Sequence, residues 1–390
     1  MIAATVGAIL LAAIAAYAIF GGADFGGGLW DLLAGGDVRG RAPRRLIEES
    51  ITPVWEANHV WLVFALVIFW TAFPTGFSAV MNTAAVPLWL ALFGVVLRGI
   101  GLAFRKETAR LSLQRAFGAM FAFSSLLTPF FMGTVIGAIA AGSVPANATH
   151  LSLSAWTQAT SLLIGFLFVS ACAYLAAVYL IEEAARRDED RLRRYFTLRA
   201  IVAGVVTGAL SLATLLELHA SNETLSNRLT GRALPFVVLA GVIGLAVLGL
   251  LASRRRQGLR VLSALGVALV VWGWGVAQYP AVLPGTSVNL GNAGAPNSTL
   301  VALVVIFVIA VFLVGPSFAL LFSMQGRLLL RSDGPTMLVA DPLGAEPSRV
   351  SRGQQRGPSG TPGPGGWLTL VGLLAAGAIV RALERRSQRR

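Results

Sequence analysis

Charge is scarce in this sequence. Only 13% of the 390 residues are Asp, Glu, Lys or Arg, against roughly 25% in water-soluble chains. Hydrophobic residues make up 56%, so a soluble globular domain is excluded. Cysteine is scarcer still: Cys172 stands alone inside an apolar run, which excludes a disulfide framework and argues against a cysteine metal site. There are three histidines, His59, His150 and His219, too few for a chain that holds several haems or a copper site by itself. No Walker loop, dinucleotide fingerprint, zinc motif or nucleophile elbow is found. No internal repeat is visible either, so an inverted-repeat carrier gains no support.

Long apolar runs are what the sequence has in abundance. A hydrocarbon core of about 30 Å takes roughly 20 residues of helix to cross. Runs of that order occur at about 2–24, 53–74, 78–104, 113–140, 155–181, 197–219, 233–252, 259–280 and 299–324. A spanning backbone must satisfy its own hydrogen bonds, so the predicted fold is all-α, a polytopic membrane protein of nine helices. The first run lacks a basic leader and is followed by polar "GGADFGG"; it reads as a retained span, not a cleaved signal peptide.

The net charge of +13 sorts by loop. Arg39, Arg41, Arg44 and Arg45 follow the first span; Arg98, Arg105, Lys106, Arg110 and Arg115 lie at or after the end of the third. Arg186, Arg187, Arg191, Arg193, Arg194 and Arg199 surround the turn after the fifth, Arg254, Arg255, Arg256 and Arg260 follow the seventh, and Arg327 and Arg331 the ninth. The alternate loops carry only Arg228 and Arg232. The positive-inside rule then places the N-terminus outside. The basic balance is a topology signal for a chain in a lipid bilayer, with no nucleic-acid partner.

Composition changes after the ninth span. The predicted organisation is a transmembrane domain over 1–330, a flexible Pro/Gly-rich linker over 331–366 containing "GPSGTPGPGG", and a short apolar helix with a basic tail over 367–390. The apolar part, "WLTLVGLLAAGAIV", is short for a tenth span. Crossing would also strand the arginines of "RALERRSQRR" outside, so an interfacial or re-entrant helix suits it better than a tenth span.

Two carboxylates stand apart from the loops, Asp24 and Glu56. A charge in the bilayer interior costs at least a few kcal/mol, so such a group is paired, protonated or turned toward protein. Asp24 lies in "FGGADFGGGLWDLL", where Gly22 and Gly26 are four apart and permit close helix packing. Packing and a place in a proton path are both open for it. Asp31 is read as an inner-surface residue. Glu56, Asn58 and His59 lie in "WEANHVW", flanked by Trp55 and Trp61. Glu56 and His59 share a helix face, so the pair serves either as an interfacial cap on the helix dipole or as a proton relay from the cytoplasmic side. His59 as a haem ligand is a third reading, without a visible second ligand. Asn82, Thr83 and Pro87 interrupt the third span and suggest an interhelical hydrogen bond.

The stretches "GGADFGGGLWDLLAG", "ESITPVWEANHVWLVFALVIFWTAFPTGFSAV" and "VPLWLALFGVVLRGIGLAFR" closely resemble subunit II of the cytochrome bd-type quinol oxidases, as do the later "GWGVAQYPAVLP", "APNSTL" and "PSFALLF". The resemblance covers about residues 1–330. It implies two four-helix bundles plus a peripheral helix, in the bacterial cytoplasmic (inner) membrane. It implies pairing with a haem-bearing subunit I that carries haem b and haem d and reaches the quinol pool. This chain would hold no haem, with room for a structural quinone, and would be a subunit of an oxidoreductase without chemistry of its own. The resemblance favours the relay reading: Glu56 matches the acid of the family motif, and Asp24 the second acid of a "D-G-F-D-x-G" pattern. The pattern's first acid is a glycine here, read as Gly22. The proposed proton route is Asp24, Glu56, Asn58 and His59, with Gly22, Gly26, Trp55 and Trp61 packing nearby. The competing reading is a membrane transporter or carrier with Asp24 and Glu56 as its substrate or coupling-ion site.

Overall fold

A computed structural model describes residues 1–36, 38–51, 55–107, 111–253 and 258–329. The residues expected to form the linker and the short C-terminal helix lie outside that set, so the division at 330 stays an expectation. The chain divides into two units, Met1–Leu321 and Phe322–Arg390; of the second, the described part is helical.

The described residues form helices α1 (Ile2–Leu32), α2 (Arg41–Ile51), α3 (Trp55–Ala72), α4 (Pro74–Thr83), α5 (Ala85–Glu107), α6 (Leu111–Ala140) and α7 (Leu153–Thr157). They continue with α8 (Ala159–Arg186), α9 (Asp190–Ser221), α10 (Glu223–Thr230), α11 (Leu234–Ala252), α12 (Leu259–Gln278) and α13 (Asn297–Leu329). One isolated bridge, Ala281 with Asn289, is the only extended pairing among the described residues. Eight helices are long and apolar enough to cross a membrane, and nine if the bent pair α3–α4 counts as one. The all-helical polytopic expectation therefore holds.

The expected spans need correcting in two places. α1 runs on through the glycines to Leu32, eight residues past the expected end at Asp24. A glycine-rich, acid-bearing segment reads as a helix end, yet these glycines sit where α1 meets its neighbours, and tertiary packing outweighs their poor helix propensity. At Gly26 a side chain would collide with the main-chain carbonyl of Cys172 on α8.

The third span begins at Ala85, not 78. Residues 74–83 form the separate helix α4, which leaves α3 at 116°. Pro74 opens α4, and Phe73 before it is non-helical, with φ −132 and ψ 61. A residue preceding proline is pushed out of the helical region, and proline cannot donate to the turn before it. Asn82, expected between helices, instead donates through Nδ2 to the Ala148 carbonyl in the loop after α6.

α1 and α8 lie at the centre. α1 packs on α3, α6, α8 and α12; α8 packs on α6, α9 and α12; α5 pairs with α6, and α11 with α12. One core gathers Trp30, Leu46, Leu180, Ile181, Phe196, Val247 and Leu259 from six helices. Near its start, α13 contributes Leu300 to a core with Val6, Ile68 and Phe73, and Phe307 stacks on Phe64.

The two ends differ in chemistry. At one, Arg44 pairs with Asp31, Arg45 with Glu189, Arg187 with Glu49, and Arg260 with Glu182 and Glu183. At the other, neutral loops interlock: Asn222 Nδ2 donates to the Ala140 carbonyl, and Ala295 N–H to that of Ala72. Of the basic clusters expected on one side, those after the first, fifth and seventh spans are thus drawn together by the fold.

Candidate functional site

By sequence Arg98 reads as one of the basic residues at the end of a span. It is instead fully buried, within α5. Its Nη2 lies 2.5 Å from Oδ1 of Asp24 and also donates to the Asp24 main-chain carbonyl at 2.9 Å. Nη1 donates to the Ser125 hydroxyl, which passes its own proton to the Phe121 carbonyl at 2.7 Å. The guanidinium carbon lies 4.4 Å from the Phe121 ring centroid and 5.0 Å from that of Phe25.

Local sequence makes room for this arrangement. A side chain at Gly28 would overlap the Ser125 hydroxyl and come within 3.3 Å of Arg98 Nη1. Pro129, inside α6, deprives the Ser125 carbonyl of its intrahelical donor, so this part of α6 is polar in its backbone as well. Asp24 and Ser125 are 2% and 1% exposed. Pairing cancels the net charge of the carboxylate and the guanidinium, the condition under which both persist away from water.

Three polar atoms here lack a hydrogen-bond partner among the described residues: Asp24 Oδ2, Arg98 Nε and Tyr17 Oη. Buried polar groups are normally satisfied by protein or by ordered water, so these atoms are suited to bind ordered water. Next to it, the His59 ring stands edge-on to Tyr17 and Phe25, each at 6.4 Å between centroids. Asn58 beside it is buried. Trp61 stacks on Phe20 at 6.4 Å and packs on the cluster of Tyr17, Phe25 and Cys172.

Of the expected site residues, Asp24, Asn58 and His59 are buried or half-buried around the start of α3 and the lower half of α1. Gly22 and Gly26 face α8: a side chain at Gly22 would meet Leu175 at 3.2 Å. Trp55 and Glu56 fall on the first turn of α3, and their side chains lie outside the described residues. One position needs correcting. In "D-G-F-D" the first acid stands three residues before the second, which is Gly21, not Gly22. Gly21 faces the Tyr17 ring rather than α8.

The sequence alone does not single out Arg98, Ser125 or Tyr17 as site residues. Arg98 carried a signal: it is the only charged residue between Ala91 and Phe104, unlike the clustered arginines of the loops. Asp31, read as a surface residue, is buried at 5% exposure against Arg44. Among the described residues no three His, Cys, Asp or Glu side chains gather as ligands, and aromatic rings flank His59.

The sequence matches the family described as Cytochrome bd terminal oxidase subunit II over residues 2–325. It is 23% identical over 266 residues to "Cytochrome bd ubiquinol oxidase subunit 2" of Bacillus subtilis (strain 168), covering 67% of this chain and 76% of that protein. It is 27% identical over 131 residues to "Cytochrome bd-I ubiquinol oxidase subunit 2" of Escherichia coli (strain K12), 34% of each chain. The fold is similar to a chain of the bd oxidase from Geobacillus thermodenitrificans, with a TM-score of 0.67 and 21% identity, covering 83% of this chain and 98% of that one. Most of the chain lies within the match, and the protein belongs to the cytochrome bd terminal oxidase subunit II family.

Proposed function

We propose that this chain is the haem-free subunit of a quinol:dioxygen oxidoreductase in a bacterial cytoplasmic membrane, with its N-terminus outside. It holds the haem-bearing subunit I in place and supplies that subunit with protons from the cytoplasm. Haem b and haem d in subunit I supply the dioxygen chemistry and the link to the quinol pool. A structural quinone in this chain remains compatible with the reading.

The observation that carries the proton route is the buried Asp24–Arg98 pair with unsatisfied polar atoms, beside Asn58 and His59 at the start of α3. Reducing dioxygen to water consumes protons. Protons drawn from the cytoplasm build the gradient without a pump. Glu56 is assigned as the collecting group at the basic end. His59 takes the proton one helical turn deeper, since a residue and its third successor share a face. Asn58 hydrogen-bonds the water between them. Asp24, its charge balanced by Arg98, presents Oδ2 as an acceptor that orders water.

The test is Glu56→Gln in the intact complex, reconstituted in vesicles, with quinol oxidation and proton uptake measured per haem. Slower turnover and uptake with an unchanged haem spectrum are expected. Normal turnover in the assembled variant removes Glu56 from the route. Co-purification of the tagged chain with a haem-bearing partner tests the scaffold role, and a solitary, colourless protein from cells expressing the partner defeats it.

A further inference from the structure

Tyr17 has no place in the route inferred from sequence, yet its geometry is unusual. It is 6% exposed, and its hydroxyl meets no hydrogen-bond partner among the described residues. An orphan hydroxyl in an apolar interior costs roughly 1–3 kcal/mol, so a purely packing role is better served by phenylalanine. The ring lies back along α1 over Gly21: a side chain there would come within 2.9 Å of Tyr17 Cε2 and 3.3 Å of Cζ. Helical side chains ordinarily lean toward the N-terminus. This one runs the other way, toward Asp24, because Gly21 leaves the surface of α1 bare. It ends edge-on to Phe25, centroids 6.3 Å apart, and edge-on to His59 at 6.4 Å. Tyr17 and Asp24 are two turns apart and so share one face of α1.

Tyr17 therefore adjoins the His59 ring on α3 and shares the face of α1 that carries the Asp24–Arg98 pair; Phe25 also touches both parts, but only Tyr17 of the two brings a hydroxyl. It also fills the space over Gly21, where the "D-G-F-D" pattern has its first acid. We propose that the Tyr17 hydroxyl is a proton-relay group, standing in for the carboxylate this chain lacks at Gly21 and linking His59 to the water ordered by Asp24. A proton arriving on a water beside His59 binds the lone pair of Oη as the phenolic proton leaves to the water on the Asp24 side. The hydroxyl then rotates back. Tyr17 ends neutral, one proton has moved, and no oxidant or reductant is required.

This inference rests on the proton route proposed above, and the test separates the two. Tyr17→Phe removes one oxygen and keeps the ring. It is compared with Glu56→Gln in the reconstituted complex, by turnover and proton uptake per haem in H2O and D2O, together with thermal stability. The expected result for Tyr17→Phe is a turnover loss of about tenfold, equivalent to about 1.4 kcal/mol of barrier. A larger solvent isotope effect and equal or higher thermal stability accompany it. A structural role cannot slow proton uptake while leaving stability intact. If Glu56→Gln slows turnover and Tyr17→Phe does not, the route stands and Tyr17 is off it. If neither slows turnover, the route and the Tyr17 relay fall together. Turnover lost in proportion to stability, with the isotope effect unchanged, assigns Tyr17 to packing and overturns the proposal.

Discussion

Replacing Arg98 by methionine tests the central electrostatic argument. The change keeps much of the side-chain length and removes the charge. Asp24 then keeps a carboxylate at 2% exposure without its counter-ion, and Ser125 loses the donor to its hydroxyl. Removing one partner of a buried pair costs about 3–5 kcal/mol, because the other charge is left uncompensated. Asp24→Leu alone strands Arg98 in the same way and falls in the same range. The double variant Arg98→Met/Asp24→Leu removes both charges, and replacement of a buried pair by apolar residues of similar size is often close to neutral. The double variant is therefore more stable than either single variant, giving a coupling energy of several kcal/mol, above the roughly 0.5–3 kcal/mol usual for neighbouring residues. The assay is the midpoint of heat-induced loss of monodisperse elution for the detergent-solubilised complex, ranked across parent, both single variants and the double. An Arg98→Met protein as stable as the parent refutes the reasoning. So does a double variant worse than the two single effects combined, since the pair would then contribute packing rather than charge balance.

The remaining predictions use other parts of the fold. Gly26→Ala places a methyl group against the Cys172 carbonyl and costs about 1–3 kcal/mol as overpacking. Gly208→Ala on α9 meets nothing within 4 Å and stabilises by up to about 1 kcal/mol through helix propensity; the two melting shifts should differ in sign. Arg45→Ala breaks the pair with Glu189, whose side chains are 57% and 27% exposed. It costs no more than about 1 kcal/mol, and high salt should erase the difference from the parent.

Some of this molecule was legible along the chain and some was not, and particular residues show why. Apolar runs identified most membrane helices, because the cost of exposing polar backbone to lipid is paid residue by residue and needs no knowledge of neighbours. The "AFPTG" stretch carried the break between α3 and α4, since proline acts on the residue directly before it, although the span assignment ran on to residue 74 and resumed at 78. The glycines of α1 were legible as packing positions but misled about where the helix ends. Asp24 and Glu56, the latter with His59 on the same helix face, stand out along the chain as polar groups misplaced for a lipid-facing helix.

The sequence by itself determined that the chain is helical, that it lies in a membrane, and that its basic loops alternate with neutral ones. These follow from hydropathy and charge, which are local sums along the chain. Only the tertiary structure decided that Arg98 is a buried counter-ion and not another basic flank, because its partner Asp24 is 74 residues away and a hydropathy window reports composition rather than depth. It also decided that the Tyr17 ring folds back over Gly21 toward Asp24, which depends on the bare surface Gly21 leaves and on the rings of Phe25 and His59 that receive it. Charge pairing and side-chain direction are set by neighbours distant in sequence, and the fold alone supplies those neighbours.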